Sequence, residues 1–538
     1  MNANAAAQPR WKGRFAHPEL SVETLTLAVC LFFSLFSNIP FWRAVAATGV
    51  LHGPSGWLTA ACLFVAITAL HFVLLCALLT RWTAKPILTI VLLVTAVAAH
   101  FMSQYTVYFD ADMIRNVLHT DGKESRELIS PGLILPLLLA GVVPACAVWW
   151  VRLRRRSFGR ALWIRVVWLI VALAIAAGAM MLSFQSISGL IRNHKDVRHL
   201  ITPGSYLASL AGVLFEAESN KDLPRIAVGA HAMVVGRPAA AKPRLLVLVI
   251  GETVRAHNWG LNGYARQTTP QLQRIDPINF VDVTSCGTST EVSVPCMFSP
   301  YGRAHYDKKK IERSESFLHA LERAGIATMW RDNQAGCKDV CTGLAFESYE
   351  HASDPANCNA VGCLDGVMLN GLMDSVGRKP GDQVVVLHQL GNHGPSYYKR
   401  YPARLRRFMP ACESAELGNC SRAEIVNAYD NAVLQTDDFL ARTIELLSSQ
   451  SSRDTALIYV SDHGESLGEN GLFLHGVPYA IAPDMQTKVP MVMWLSPGML
   501  ASRGIDAACL RREAKAPASH DNLFHSVLGL MQVQTPEY

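Results

Sequence analysis

The stretch LLVLVIGE, residues 245–252, decides the fold of the second half of this 538-residue chain. Its apolar run has the pattern of a buried strand and ends in an acid, Glu252. Similar runs at 383–388 and 455–461 alternate with helical patterns at 313–324 and 422–449. This alternation predicts an α/β domain with a central sheet flanked by helices.

Each of the three predicted strands leads into candidate metal ligands. Glu252 ends the first strand, His393 lies in HQLGNHGP (388–395) after the second, and Asp462 and His463 follow the third, with His475 further on. Ligands of open α/β sheets gather at the carboxyl ends of the strands. Carboxylate and imidazole groups beside an oxygen nucleophile suit zinc, and manganese is also chemically compatible.

A hydroxyl nucleophile is expected in the segment SCGTSTEVSVPC, residues 285–296. Two closely spaced cysteines, Cys286 and Cys296, bracket both Thr288 and Thr290. A metal site converts such a hydroxyl into an alkoxide nucleophile. Chemistry alone leaves both threonines open.

The thirteen cysteines fall into two groups. Four lie in long apolar runs and act there as small apolar fillers. Eight of the other nine form close sequence pairs, which in an oxidising compartment predicts disulfides rather than thiolate metal sites. Cys509 is left over. The predicted pairs are Cys286–Cys296, Cys337–Cys341, Cys358–Cys363 and Cys412–Cys420.

The N-terminal third contains five apolar stretches long enough to cross a bilayer as helices, which takes about 20 residues. Four further spans follow the first one, and it shows no cleavage site, so it is not a removable signal peptide. The predicted spans are 21–42, 56–80, 86–107, 129–151 and 161–184.

Basic residues set the orientation of these spans. They precede the first span at Arg10, Lys12 and Arg14 and recur around the loops between spans two and three and between spans four and five. Five spans with the N-terminus inside place everything after residue 190 outside the cytoplasm. The net charge of +6 is explained largely by this topology and favours no nucleic-acid partner.

Three regions follow from these patterns: a transmembrane domain over 1–190, a connecting region over 191–243 and a catalytic domain over 244–538. Apolar and basic residues alternate at the start of the connecting region, which suits either an interfacial helix or a solvated connector. Proline, alanine and glycine then mark a linker.

The chain resembles the lipid A phosphoethanolamine transferases, the family of the mobile colistin-resistance enzymes, within the alkaline phosphatase-like and sulfatase-like superfamily. The resemblance covers nearly the whole length. Its motifs are GETVR (251–255), LNGY (261–264), SCGTSTEVSVPCMF (285–298), NHGP (392–395) and SDHGESLGENG (461–471).

The resemblance implies a zinc ion held by Glu252, Thr290, Asp462 and His463, with a second zinc possible. It selects Thr290 over Thr288 as the residue that carries the covalent phosphoethanolamine. Glu291 departs from the apolar or small residue that many family members have after the nucleophile. Three further residues match positions that bind the transferred phosphate, a second zinc or the substrate: His393, His475 and Lys338.

Donor binding is implied for Asn116, Thr120 and Glu124, which match family positions for the donor lipid or its ethanolamine end. Their i, i+4, i+8 spacing predicts one polar face of a single helix. Glu124 would supply the counter-charge for an ammonium group. A solvated amphipathic helix would show the same pattern.

The function implied is transfer of phosphoethanolamine from phosphatidylethanolamine to a phosphate of lipid A, by a monomer of the bacterial inner membrane. Such modification favours polymyxin resistance. The motifs also fit transfer to lipopolysaccharide core or periplasmic glucan, or phosphoglycerol transfer. From another class, a membrane sensor or scaffold could carry an inactive domain of this fold.

Overall fold

The computed structural model describes residues 17–120, 122–194, 197–220, 224–238, 241–359 and 362–537. The basic residues Arg10, Lys12 and Arg14 lie outside these ranges. The chain forms two compact units. One comprises Met1–His100 and Gly132–Ser205, and the other comprises Phe101–Pro131 and Tyr206–Tyr538.

Within the described ranges, the first ten helices in chain order include the membrane-crossing candidates. Four of them, α3, α4, α7 and α8, are long and apolar enough to cross a membrane. The pair α1 and α2 adds a fifth crossing if it is counted as one span, so the predicted spans coincide with these helices. The bounds are α1 (Val22–Phe32, continued by a π-helical turn Phe33–Ser37), α2 (Ile39–Ala47), α3 (Gly53–Leu78), α4 (Ala84–Tyr105), α5 (Ala111–His119), α6 (Gly122–Leu128), α7 (Pro131–Trp150), α8 (Phe158–Leu182), α9 (Phe184–Asn193) and α10 (Gly204–Asn220).

The first predicted span is broken by a bend of 51° between α1 and α2. Pro40 follows the break and cannot donate a backbone hydrogen bond. The buried Asn38 side chain fixes the chain at the break: its Nδ2 donates to the carbonyls of Phe33 (3.0 Å) and Thr202 (2.7 Å). The bend is therefore a defined feature of the first unit.

An eight-stranded sheet forms the centre of the second unit, as predicted. Its order is β8-β2-β7-β6-β1-β5-β3-β4, and β7 alone runs antiparallel to its two neighbours. The strands are β1 (Arg244–Gly251), β2 (Ile278–Thr284), β3 (Ala327–Asp332), β4 (Phe346–Ser348), β5 (Gln383–His388), β6 (Asp454–Ser461), β7 (Lys488–Leu495) and β8 (Ala518–Ser519).

Helices cover both faces of the sheet and bury a hydrophobic core on each. Along β1, Leu246 and Ile250 pack into one core, whereas Leu245 and Val249 pack into the other. Each such side chain contributes roughly 1.5–3 kcal/mol on burial. The remaining helices are α11 (Pro270–Ile275), α12 (Thr290–Met297), α13 (Lys308–Arg313), α14 (Phe317–Arg323), α15 (Leu372–Gly377), α16 (Arg422–Ser448), α17 (Asp484–Thr487), α18 (Pro497–Arg503), α19 (Ala507–Glu513) and α20 (Asp521–Leu530).

Of the two helices predicted in this domain, one is confirmed over nearly its whole length and the other starts later than predicted. The helix predicted over 422–449 is confirmed as α16, which starts with a capping box between Ser421 and Glu424. The helix predicted over 313–324 begins only at Phe317, because Ser316 is extended and caps α14 with His319. The prediction was wrong at that end.

The single helix predicted through Asn116, Thr120 and Glu124 is also wrong. Helix α5 ends at His119, and Thr120 has an extended backbone with its hydroxyl donating to the Asn116 carbonyl (2.7 Å). A second helix, α6, starts at Gly122. The one-face argument therefore fails after Thr120, and the side chain of Glu124 lies outside the described part of the structure.

All four predicted disulfides are present. Each closes a loop within the second unit, and Cys509 remains free, as do the four cysteines of the apolar runs. The bonds are Cys286–Cys296, Cys337–Cys341, Cys358–Cys363 and Cys412–Cys420.

A buried ion pair anchors the start of β1. Asp382 Oδ2 accepts from Arg244 Nη2 (2.8 Å), both side chains are at least 97% buried, and Arg237 pairs with the same carboxylate. Removing one partner leaves a buried charge uncompensated, so Asp382→Ala should destabilise the protein by about 3–5 kcal/mol. The measurement is thermal unfolding of the purified full chain in detergent.

The matched control is Asp282→Ala. Asp282 pairs with Lys488 (2.6 Å) in the same sheet, but its side chain is 41% exposed. An exposed pair contributes about 0–1 kcal/mol. Equal destabilisation by the two substitutions would contradict the argument from burial.

Candidate metal centre and active site

The carboxyl ends of β1 and β6 place three potential ligands together. These strands are parallel neighbours with Gly251 opposite Ser461, so the next residues, Glu252 and Asp462, emerge side by side. One ligand atom from each of Glu252, Asp462 and His463 lies within 4.8 Å of the others. The predicted strand-end cluster is thus assembled in the structure.

Thr290 joins this cluster as the first residue of α12. Its Oγ1 donates to Glu252 Oε2 (3.0 Å) and lies 3.4 Å from His463 Nε2. Thr288, the other candidate nucleophile, instead donates its hydroxyl to the carbonyl of Val477 (2.7 Å). Of the two threonines, the structure brings Thr290 to the carboxylates.

The loop before Thr290 is fixed on several sides. The Cys286–Cys296 disulfide closes it, and the Cys286 N–H donates to His520 Nδ1 (3.1 Å). The other ring nitrogen of His520 lies 2.9 Å from the carbonyl of Ser461, the last residue of β6. This buried imidazole therefore ties the nucleophile loop directly to the strand that carries Asp462.

Burial controls the protonation of the cluster. Glu252, Asp462 and His463 are fully buried. Burial lowers the pKa of His463 to about 4, which keeps its imidazole neutral and able to act as a ligand. Burial alone would raise the pKa of Asp462, but the neighbouring His463 imidazole and the N–H of Thr253 outweigh it, and the net shift is downward.

The residues present fit a divalent cation. Asp462 Oδ2 is buried and accepts no hydrogen bond, an arrangement that costs free energy unless a cation completes it. Two carboxylates, one neutral imidazole and one threonine oxygen form a four-membered set of the kind that zinc prefers.

Two more histidines flank the cluster, as the sequence predicted. The ring of His475 lies 4.4 Å from that of His463 and 5.6 Å from that of His393, measured between centroids. Glu465 Oε2 lies 2.7 Å from His475 Nδ1 and fixes that ring. The arrangement places two further imidazoles beside the cluster of Glu252, Asp462 and His463.

Glu465 was not predicted as a site residue, but the structure places it against His475. It is fully buried, and Tyr397 donates its hydroxyl to Oε1 (2.5 Å) while Oε2 serves His475. Its place two residues after His463 in the SDHGE motif was the available signal.

His388, the last residue of β5, is a second buried residue near the site that was not predicted as a site residue. Its Nδ1 lies 2.8 Å from Asp332 Oδ1, both side chains are buried, and its Nε2 has no hydrogen-bond partner. Burial opposes the charge of Asp332, but the hydrogen bond with His388 prevails and lowers the pKa of that carboxyl. Its position at a strand end was the signal.

Lys338 lies in the loop closed by the Cys337–Cys341 disulfide, as predicted. Its backbone is left-handed (φ 48°), and its Nζ donates to the Ala335 carbonyl (3.2 Å). Just before this loop, Gln334 Nε2 donates to Glu252 Oε2 (3.3 Å). The segment that leads into the disulfide loop therefore contacts the cluster through Gln334.

Of the predicted donor residues, Asn116 lines a cavity of about 260 Å³. Thr288, Ser289 and Gly476, neighbours of Thr290 and His475 in the chain, line the same cavity. Thr120 caps α5 through its hydroxyl. The structure thus brings Asn116 near the cluster, whereas the Thr120 hydroxyl is engaged with the helix backbone.

Glu291 and His119 form a pair next to Thr290. The distance between His119 Nδ1 and Glu291 Oε1 is 2.9 Å. Burial opposes the charge of Glu291, but the hydrogen bond with His119 and the charges of His119 and Lys338 lower its pKa. The same hydrogen bond raises the pKa of His119.

Comparison with known proteins connects this geometry to a family. Residues 244–533 match the Sulfatase family model, and residues 67–217 match the model described as phosphoethanolamine transferase EptA/EptB. Phosphoethanolamine transferase EptA of Escherichia coli (strain K12) is 35% identical over 97% of this chain and 96% of its own length. Phosphatidylethanolamine transferase Mcr-1 of Escherichia coli is 38% identical over 87% of this chain and 89% of its own.

Solved structures point to the same family. The integral membrane lipooligosaccharide phosphoethanolamine transferase A from Neisseria meningitidis is 36% identical with a TM-score of 0.92, covering 97% of this chain and 98% of its own. Its soluble domain is 43% identical with a TM-score of 0.57, covering 59% of this chain and 96% of its own. The predicted family resemblance and fold class are confirmed.

Proposed function

Because the chain belongs to the phosphoethanolamine transferase family, we propose that it moves phosphoethanolamine from phosphatidylethanolamine to a phosphate of lipid A through a phospho-Thr290 intermediate at a zinc centre. One observation carries the mechanism: the Thr290 hydroxyl lies within hydrogen-bond distance of Glu252, in a buried cluster with Asp462 and His463. Relatives named for lipid A or phosphatidylethanolamine support the two substrates.

Glu252, Thr290, Asp462 and His463 would hold the zinc ion. When bound, it lowers the pKa of the Thr290 hydroxyl and polarises a phosphoryl oxygen. Glu252 Oε2 accepts the hydrogen bond of this hydroxyl and takes its proton when Oγ1 attacks. The position of Thr290 at the N-terminus of α12 further favours negative charge on its oxygen.

In the first step, Thr290 Oγ1 attacks the donor phosphorus. The Oγ1–P bond forms, the bond from phosphorus to the glycerol oxygen breaks, and that oxygen takes a proton as diacylglycerol leaves. His475, oriented by Glu465, is the group placed to supply this proton. His393 faces the same region and offsets charge on the phosphoryl oxygens.

In the second step, a phosphate oxygen of lipid A attacks the phosphorus. A P–O–P linkage forms, the Oγ1–P bond breaks, and Thr290 recovers its proton. Two successive displacements predict ping-pong kinetics and retained configuration at phosphorus. Asn116, Thr120, Glu124 and Lys338 are proposed to bind the donor.

We place the catalytic domain in the periplasm of a multi-pass inner-membrane protein. Four disulfides in the second unit support an oxidising compartment. The basic loops of the N-terminal third support the orientation. Adding an ammonium group to a lipid A phosphate reduces surface negative charge, so the modification should lower susceptibility to cationic polymyxins.

The test is mass spectrometry of lipid A from cells that express the wild-type chain, its Thr290→Ala variant or neither. Lipid A should gain phosphoethanolamine only with the wild-type chain. Unmodified lipid A together with a modified core oligosaccharide or glucan would overturn the proposed acceptor and leave the transfer chemistry standing.

A further inference from the structure

Helix α5 is held within the second unit by charged contacts of Asp112 and Arg115. Arg115, with a side chain only 10% exposed, pairs with Asp112 on its own helix (3.0 Å), with Glu216 on α10, and with Glu312 on α13 (3.9 Å). Lys308 of α13 pairs with Asp112 as well. This end of α5 is held by several partners at once.

The other end of α5 is held by the pair His119–Glu291. Glu291 is the residue next to Thr290 and lies in the first turn of α12. Its side chain is 9% exposed, whereas that of His119 is 55% exposed. This hydrogen bond of 2.9 Å connects the nucleophile helix with the helix of Asn116.

Glu291 depends strongly on this partner. Its Oε1 contacts His119, and its Oε2 is buried without a hydrogen bond. A nearly buried carboxylate that loses its hydrogen-bonding partner must move toward water or be neutralised. Loss of His119 would therefore displace a side chain attached directly beside the nucleophile.

The His119–Glu291 pair lies between Thr290 and the residues proposed to bind the donor. His119 precedes Thr120 and lies one helical turn after Asn116. Movement at this contact changes the separation between Thr290 and the headgroup-binding side chains. Small errors in the position of reacting groups cost large factors in rate.

We propose that Glu291 and His119 are positioning residues that fix the donor headgroup over Thr290, an inference that rests on the proposed donor role of Asn116 and Thr120. The pair acts in the first half-reaction, in which phosphoethanolamine is transferred from phosphatidylethanolamine to Thr290. It is not required for the attack of the acceptor on phospho-Thr290, because the headgroup is by then covalently attached to Thr290 and no longer has to be held by donor-binding contacts.

The experiment measures both half-reactions of the full chain in nanodiscs that contain phosphatidylethanolamine. Glu291→Ala and His119→Ala should each slow formation of the phospho-Thr290 adduct about tenfold, and the double variant should be no slower than either single one. Discharge of preformed adduct by lipid A should proceed at the wild-type rate. Glu291→Gln, which retains an acceptor for His119, should restore most of the first rate.

The matched control is His351→Ala, since His351 is an exposed histidine whose contact with Glu350 is long (3.9 Å). It should leave both rates unchanged. Additive effects of the two alanine substitutions, equal slowing of both half-reactions, or wild-type rates in both variants would each overturn the inference. Wild-type chain that transfers without any Thr290 adduct would instead overturn the proposed function.

Discussion

Replacing Thr290 with alanine is expected to abolish the covalent adduct and to lower transfer by about 10³-fold or more, the scale on which enzymes lose activity with their nucleophile. The hydroxyl of Thr290 is the one that meets both Glu252 (3.0 Å) and His463 (3.4 Å). Without it, donor and acceptor would have to react directly, in a site arranged for two displacements. Intact-mass spectrometry after incubation with donor detects the adduct, and a fluorescent phosphatidylethanolamine reports turnover.

Two variants separate chemistry from folding. Thr288→Ala removes the rival hydroxyl from the same loop and costs one hydrogen bond, to the Val477 carbonyl, so the adduct should still form. Thr290→Ser retains a hydroxyl and should retain measurable transfer. An adduct on Thr290→Ala protein, or full activity in that variant, would show that another residue is the nucleophile.

The position of the site was predictable because parallel strands deliver their C-terminal residues to one edge of a sheet. Residues 252 and 462 are far apart in sequence, yet Gly251 and Ser461 are register partners, so the acids that follow them must be neighbours. The apolar runs alone identified both strands. The four disulfides were predictable for a different reason: two cysteines a few residues apart in an oxidising compartment are close enough to pair with each other.

Other features depend on contacts that sequence spacing does not encode. Helical periodicity suggested one face through Asn116, Thr120 and Glu124, but the helix ends at His119, where the Thr120 hydroxyl bonds back to the Asn116 carbonyl. Local hydrogen bonding of threonine with the backbone competes with helix continuation.

The family resemblance favoured Thr290 over Thr288, but the physical reason for that choice required tertiary structure. Both lie in the same disulfide loop, and chemistry gives both the same hydroxyl. Their hydroxyls differ in the hydrogen-bond acceptor: Thr288 donates to the Val477 carbonyl, and Thr290 donates to the Glu252 carboxylate. His388 escaped notice for a related reason, because its partner Asp332 comes from the end of a different strand, β3.

Replacing Asp462 with asparagine is expected to remove bound zinc and to lower transfer by at least about 100-fold. Substituting even a residue that only hydrogen-bonds to a metal ligand typically lowers metal affinity or activity by about 10–100-fold. The substitution is nearly isosteric. An asparagine oxygen can still accept from the N–H groups of Thr253 (3.1 Å) and His463 (2.7 Å), so the local backbone should survive. What disappears is the charge at a buried oxygen that lacks a hydrogen bond, Asp462 Oδ2.

Two measurements test this prediction. Elemental analysis gives the zinc content, and thermal unfolding with and without a chelator gives the stability that zinc provides. Zinc that binds only the folded state stabilises it, so chelation should lower the unfolding temperature of the wild-type protein and leave that of Asp462→Asn unchanged. Asp454→Asn is the matched control: Asp454 is buried at the opposite end of β6, about 25 Å away for a strand of this length. It should keep its zinc and its chelator sensitivity. Stoichiometric zinc in Asp462→Asn, or a wild-type protein indifferent to chelation, would place the metal elsewhere and remove the basis for activating Thr290 at this cluster.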